Sequence, residues 1–179
     1  LPYLLYKRQF DRALESSGLC YRIVRPTMLF GCHDVLLGEM MRLMHRYPFF
    51  PMFGDGDYHV SPVAVADLAH FLHQEAGGDR IGTTDIGGPV RYRYRDLTDS
   101  MFEALGRRPR YWRMSRSSAL RLTRAMVLLG STLLYPYEVE WLTSDLLGVP
   151  AFGGLDRPLT RVEPYVREVA ARLHGGDPR

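Results

Sequence analysis

Apolar positions recur at helical spacing over residues 2–15, where Leu5, Phe10, Ala13 and Leu14 supply contacts and Ser16-Ser17-Gly18 ends the run. This pattern predicts a helix. The next run, Cys20-Tyr21-Arg22-Ile23-Val24-Arg25, is short and β-branched at its centre. Pro26 closes it and biases Arg25 towards an extended conformation, so a strand is predicted over 20–25. A helix feeding directly into a strand is half of a βαβ unit and points to α/β architecture. Thr27 to Gly31 continues that strand into a loop at its carboxyl end, where open α/β sheets bind their ligands.

Further along, the spacing predicts a Leu- and Met-rich helix over 35–46, its methionines serving as adaptable core. Tyr47-Pro48-Phe49-Phe50-Pro51-Met52-Phe53 is aromatic and twice interrupted by proline, so it reads as a short edge strand or an apolar lid. A turn at 54–57, a strand at 58–60 and a helix start at Ser61-Pro62 follow. Helix 63–76 would then turn Val65, Leu68, Ala69, Leu72 and Ala76 inward and leave Asp67, His70 and His73 on a polar face. No second cluster of ligands accompanies that trio, so it does not read as a metal site. A strand over 83–86 ends in Gly87-Gly88-Pro89, and a helix over 94–105 turns Leu97, Met101 and Leu105 inward with Gly106 as its C-cap. The remainder is mostly helical, over 116–129, 137–147 and 162–173, the last with Val162, Tyr165, Val166, Val169, Ala170 and Leu173 as its stripe.

At 179 residues with 46% apolar and 24% charged side chains, the chain has the length and composition of one globular domain. Its net charge of +3 is compatible with anionic ligands without demanding them. Cys20 and Cys32 flank the predicted strand, too far apart to bridge, and read as free thiols of a cytoplasmic protein. No apolar run reaches the ~18–20 residues of a membrane-spanning helix. The chain opens on Leu1, inside what already reads as an apolar helix, and is therefore expected to be a fragment.

One cation changes this picture. Lys7 is the only lysine among 23 basic residues, and it lies four residues after Tyr3. On a helix that spacing sets the two side chains on one face, about 5–6 Å apart at Cβ. A compact ammonium there would lower the phenol's pKa, and its three donors suit ribose hydroxyls. The same spacing also describes an ordinary pair on a solvated helix.

Four segments decide between these readings. Pro2-Tyr3-x-x-x-Lys7, Arg25-Pro26-Thr27-Met28-Leu29-Phe30-Gly31, Pro62-Val63-Ala64-Val65-Ala66-Asp67-Leu68-Ala69 and Ile86-Gly87-Gly88-Pro89 occur in this order. Together they resemble the YxxxK, RPxxx(F/Y)G, PVxVxDLA and LGGP motifs of the extended and atypical short-chain dehydrogenases/reductases, the NAD-dependent epimerase/dehydratase superfamily. The closest group is similar to the NAD(P)H-binding accessory subunit of respiratory complex I. The resemblance implies the C-terminal half of a Rossmann-type fold, a doubly wound parallel sheet, with a mostly helical substrate-side region. It implies NAD or NADP as cofactor, Tyr3 as general acid/base and Lys7 as the ribose-binding and tuning residue. Pro26, Thr27 and Met28 would lie beside the nicotinamide; Phe30, Gly31, His33 and Asp34 would line the way to a small-molecule substrate.

The family's glycine-rich phosphate loop and the serine partner of its tyrosine have no counterpart in the sequence, so the chain by itself is expected to bind a dinucleotide weakly and to leave an apolar side of its sheet uncovered. A nucleotide-holding assembly subunit, with peripheral membrane or complex association, is the alternative to an oxidoreductase; a sugar-nucleotide epimerase or dehydratase is a further one. Arg91 to Arg95 and Arg107 to Arg116 interleave arginine with aromatics but read as an arginine-rich surface, with nucleic acid not expected as a partner.

Overall fold

The computed structural model describes residues 2–32, 34, 36–78, 80–128, 139–140, 142–144 and 146–176, the side chains of residues 2–4 and 126 excepted. Helix α1 (Pro2–Glu15) runs into strand β1 (Arg22–Pro26), then β2 (Leu29–Phe30), α2 (Leu36–Arg46), β3 (Phe50–Phe53) and β4 (His59–Val60). After β5 (Val63–Ala64) come α3 (Val65–Glu75), β6 (Gly82–Ile86), β7 (Tyr92–Arg93), α4 (Tyr94–Ala104), β8 (Tyr111–Met114), α5 (Arg116–Leu128) and α6 (Val162–His174). The strands pair as β1 with β6, β2 with β5 and β3 with β8, all parallel, and β4 with β7 antiparallel. This is the Rossmann-like α/β architecture read from the sequence.

The β1–β6 pair is the frame for the site. Its register runs from Arg22 opposite Gly82 to Pro26 opposite Ile86, so both strands end at the same level. Among the described strands β1 is paired on one edge only. On α1 and beside the pair, Leu5, Tyr6, Phe10, Leu19 and Ile81 are exposed.

The largest core lies between three helices. Leu37, Met40, Met41 and Met44 of α2 pack with Leu97, Met101 and Phe102 of α4 and with Val162, Val166, Val169 and Ala170 of α6. The methionines are therefore core, as the composition of α2 predicts. The segment around Phe50 is a strand and not a lid: Phe50, Met52 and Phe53 are buried because β8 pairs along them. Both cysteines are free thiols on the surface. Helix α4 has Leu105 at its C-cap, and the expected glycine follows one residue later as a left-handed Gly106 (φ 63°). Of the helix predicted over 137–147, residues 137, 138, 141 and 145 lie outside the described residues, as does residue 129 at the end of the helix predicted over 116–129.

Two expectations fail around α3. The helix starts at Val65, not at Ser61-Pro62, with extended Ala64 before it. Ser61 N–H donates to Leu147 O and Val63 N–H to Met28 O, so backbone bonds on both sides hold this segment as strand. The buried face is also turned. Asp67, Leu68 and Phe71 face inward, whereas Val65, Ala69, Leu72 and Ala76 are exposed. Of the five positions expected inward only Leu68 is buried, and the core-facing stripe runs through Leu68 and Phe71.

Helix α6 is tied down at its first turn. Glu163 accepts from Tyr92 Oη at 2.6 Å and from Arg161 Nη2 at 2.9 Å. The Arg161 hydrogen bond, opposed by partial burial and helped by Tyr92, holds its carboxyl down at about 2 from the usual 4.5. A depressed carboxylate contributes stability that is complete above its unfolded pKa and is lost as pH falls through the folded one. The thermal midpoint is therefore expected to fall between pH 4.5 and 2 less steeply in Glu163→Gln than in the parent chain. Identical acid limbs would show that the pair does not stabilise the fold.

Candidate functional site

The row Tyr3, Lys7 and Asp11 follows a four-residue spacing on α1 and so lies along one face. Asp11 fixes that face against the sheet, since its Oδ2 is 2.5 Å from Arg25 Nη2 of β1. Lys7 lies one turn before Asp11 on that face, about 5–6 Å along the helix axis. Arg25 is followed by Pro26-Thr27-Met28, at the carboxyl ends of the parallel β1–β6 pair, where open α/β sheets bind ligands. Lys7 is exposed; the side chain of Tyr3 lies outside the described residues. Asp11 is the member of this row that the sequence reading missed, although the repeated four-residue spacing signalled it.

The loop is held from both sides. Thr27 N–H donates to Ile86 O at 3.0 Å, its buried hydroxyl donates to Ser61 O at 2.5 Å, and Met28 O accepts from Val63 N–H at 2.8 Å. The glycines of Ile86-Gly87-Gly88-Pro89 make this closure sterically feasible. A Cβ on Gly88 would stand 1.6 Å from Pro62 O, and one on Gly87 2.2 Å from Val149 O. Gly88 N–H also donates to Ser61 O, which therefore receives two bonds.

Beyond the loop, Phe30 is buried and its ring lies 5.6 Å from that of Tyr165. Gly31 has φ 128°, a conformation that favours glycine, and a Cβ there would lie 3.8 Å from Val65. His33 lies outside the described residues. Asp34 caps α2 by accepting from the backbone N–H groups of Leu36 at 2.8 Å and Gly38 at 3.0 Å, and it accepts from Tyr165 Oη at 3.2 Å. Burial first, and the Asp34 charge second, push the Tyr165 phenol up to about 12. Tyr165, read from the sequence only as part of an apolar stripe, thus joins α6 to the substrate-side segment.

The acidic residue of the third motif has a structural partner set. Asp67, 1% exposed, accepts from Thr160 N–H at 2.6 Å and Thr160 Oγ1 at 3.0 Å and pairs with Arg157 Nη2 at 2.8 Å. It anchors the segment that leads into α6. Asp67→Ala leaves these donors without an acceptor and is expected to cost about 2–4 kcal/mol, discounted because Arg157 is half-exposed. An unchanged urea midpoint would show that the anchor is dispensable.

An ammonium of the kind Lys7 carries would suit the hydroxyls of a ribose, and a loop held at the carboxyl ends of parallel strands, as Pro26–Met28 is, would suit a planar carboxamide. Among the described residues no glycine-rich strand-to-helix turn faces the same mouth to hold a pyrophosphate.

No family model matches the chain. It is 27% identical over 171 residues to the mitochondrial NADH dehydrogenase [ubiquinone] 1 alpha subcomplex subunit 9 of Arabidopsis thaliana, covering 87% of this chain and 42% of that one. A chloroplastic divinyl chlorophyllide a 8-vinyl-reductase of Cucumis sativus is 32% identical over 108 residues, 58% of this chain and 25% of the relative. The chain therefore spans less than half the length of either curated relative. Among solved structures, dTDP-glucose 4,6-dehydratase from Streptomyces venezuelae, with NAD bound, superposes with a TM-score of 0.60 at 19% identity, covering 92% of this chain and 47% of that one. The dTDP-4-dehydrorhamnose reductase of Bacillus anthracis, in complex with NADP, gives 0.54 at 14% identity over 90% and 51%. At these identities the likeness to the solved structures is one of fold.

Proposed function

We propose that the chain, whose fold is Rossmann-like, is a member of the extended short-chain dehydrogenases/reductases, the NAD-dependent epimerase/dehydratase superfamily, and that it carries the proton-transfer and nicotinamide side of an NAD(P)-dependent oxidoreductase acting on a small carbonyl or alcohol. The observation that supports this most is the Tyr3–Lys7–Asp11 row, set by the Asp11–Arg25 pair at the carboxyl end of β1. The nicotinamide supplies or accepts hydride when bound. The chain's own groups handle the proton. In the reducing direction the Tyr3 hydroxyl donates its proton to the substrate oxygen, and in the oxidising direction its phenolate takes one up. The Lys7 ammonium stabilises that phenolate and donates to ribose hydroxyls. Pro26, Thr27 and Met28 offer a rigid backbone edge to the carboxamide, and the segment of Phe30, Gly31, His33 and Asp34 lies on the substrate side.

A second reading draws on the similarity to the plant complex I subunit, which covers most of this chain. In it the same site holds a nucleotide for structural reasons and the protein works within an assembly. The two readings separate in one experiment. The whole protein is titrated with NADH and NADPH by fluorescence, then assayed against aldehydes, ketones and alcohols by the change in nicotinamide absorbance. Binding with turnover supports the oxidoreductase. Binding without turnover supports the assembly subunit, and no binding by the whole protein rejects both.

A further inference from the structure

Charge along the chain is segregated in a way that the dinucleotide reading does not use. Between Glu103 and Leu128 lie seven of the 23 basic residues and none of the 20 acidic ones, so the rest of the chain carries more acids than bases. The seven arginines are 107, 108, 110, 113, 116, 121 and 124. Elsewhere nine arginines are ion-paired, among them Arg22, Arg25, Arg93 and Arg157. Among the described residues none of these seven is in an ion pair, and Arg107 alone is engaged, with the carbonyl oxygens of Met44 and His45. An unneutralised positive stretch of this length on a chain so rich in arginine–carboxylate pairs is built for anions outside the molecule.

The apolar side chains in the same stretch narrow the partner. Trp112 on β8 is 60% exposed, and Leu122, Val127 and Leu128 on α5 are exposed, Leu128 by 87%. Ser115 alone separates β8 from α5. Only Ala119 and Thr123 of the helix's described side chains are buried, so its outward face carries Arg121, Arg124 and Leu128. Arginines interleaved with tryptophan and aliphatic side chains match an anionic lipid headgroup layer over a hydrocarbon boundary. A phosphodiester backbone would use the arginines and the tryptophan but has no place for Leu122, Val127 and Leu128. No helix among the described residues is long and apolar enough to cross a membrane, so the contact is at the surface.

We propose that β8 and α5 form a docking surface for an anionic bilayer. The site is independent of the Tyr3–Lys7 row and of any turnover. The test is flotation of the full chain with vesicles of phosphatidylcholine alone and with one third phosphatidylglycerol. Binding is expected to the mixed vesicles only and to be lost near 1 M salt, where the Debye length is about 3 Å. The triple variant R113Q/R121Q/R124Q, all exposed positions, should weaken partition on the order of a hundredfold, with an unchanged circular dichroism spectrum. Leu128→Gln should weaken it about tenfold without altering retention on heparin. Partition that is equal on neutral vesicles, or unchanged in the triple variant, overturns the proposal. Retention on single-stranded DNA without vesicle binding overturns it in favour of a nucleic acid.

Discussion

Tyr3→Phe is expected to lower turnover of the whole protein by roughly a thousandfold, within the ~10²–10⁴ range of a single general acid/base, while NAD(P)H affinity stays within about twofold. The substitution removes one oxygen and its proton and leaves the ring, so only the chemical step loses its donor. The Lys7 variants should separate the two tasks of the ammonium. Lys7→Met raises the KM for the dinucleotide and lowers kcat, because both the ribose donors and the charge that stabilises a phenolate are gone. Lys7→Arg keeps the charge yet should rescue neither, since a planar fork does not match a ribose edge suited to a point donor. Asp11→Asn releases the face that carries the row and should lower kcat with a smaller effect on unfolding, as Arg25 is half-exposed. Turnover that survives Tyr3→Phe would remove Tyr3 from the proton path.

Gly88→Ala is expected to prevent stable folding, with a cost above about 4 kcal/mol against a total of roughly 5–15 kcal/mol for a domain. The added Cβ would overlap Pro62 O at 1.6 Å and the Pro62 carbonyl carbon at 2.6 Å. Both are backbone atoms, so no rotamer change relieves the clash, unlike ordinary overpacking at ~1–3 kcal/mol. Moving Pro62 would strain the adjoining Ser61 carbonyl, which receives Thr27 and Gly88, and the β2–β5 pair that begins at Val63. The Pro26–Met28 loop and the fold thus depend on the same close approach. Gly18→Ala is the control. Gly18 has φ 72° and no atom within 4 Å of its Cβ position, so only left-handed strain of about 1–2 kcal/mol is expected. Equal urea midpoints for the two variants would refute the close-packing account of the glycine pair.

The parts of this molecule that were legible in its sequence are those fixed by near neighbours. The stripes of α2, α4 and α6, the run that ends at Pro26 and the glycine stop after α4 are local patterns, and the structure repeats them. Helix α3 was misread because its inward face is decided by a remote partner. Asp67 is buried only because Thr160 and Arg157, some 90 residues later, satisfy its carboxylate, and no periodicity carries that information. The two-residue strands β2 and β5 were invisible for the same reason. Their pairing is a tertiary event, and Pro62 was instead read by its common place at a helix start. At the candidate site Lys7 stood out by composition and Thr27–Met28 by motif, whereas Asp11 and Tyr165 act through contacts with Arg25 and Asp34. The motif glycines were recognisable, but their reason, a backbone crossing closer than any Cβ permits, lies in the tertiary fold.

The central claim, that the Tyr3–Lys7 row serves hydride transfer, is tested most directly with the whole protein and nicotinamide dinucleotide deuterated at C4. Incubated with the carbonyl panel, the protein is predicted to place one deuterium on the carbinol carbon of a product per turnover. Tyr3→Phe is predicted to bind the same dinucleotide and transfer none above background. A wild-type protein that binds the dinucleotide and leaves its deuterium untouched across the panel would contradict the oxidoreductase and leave the nucleotide a structural ligand.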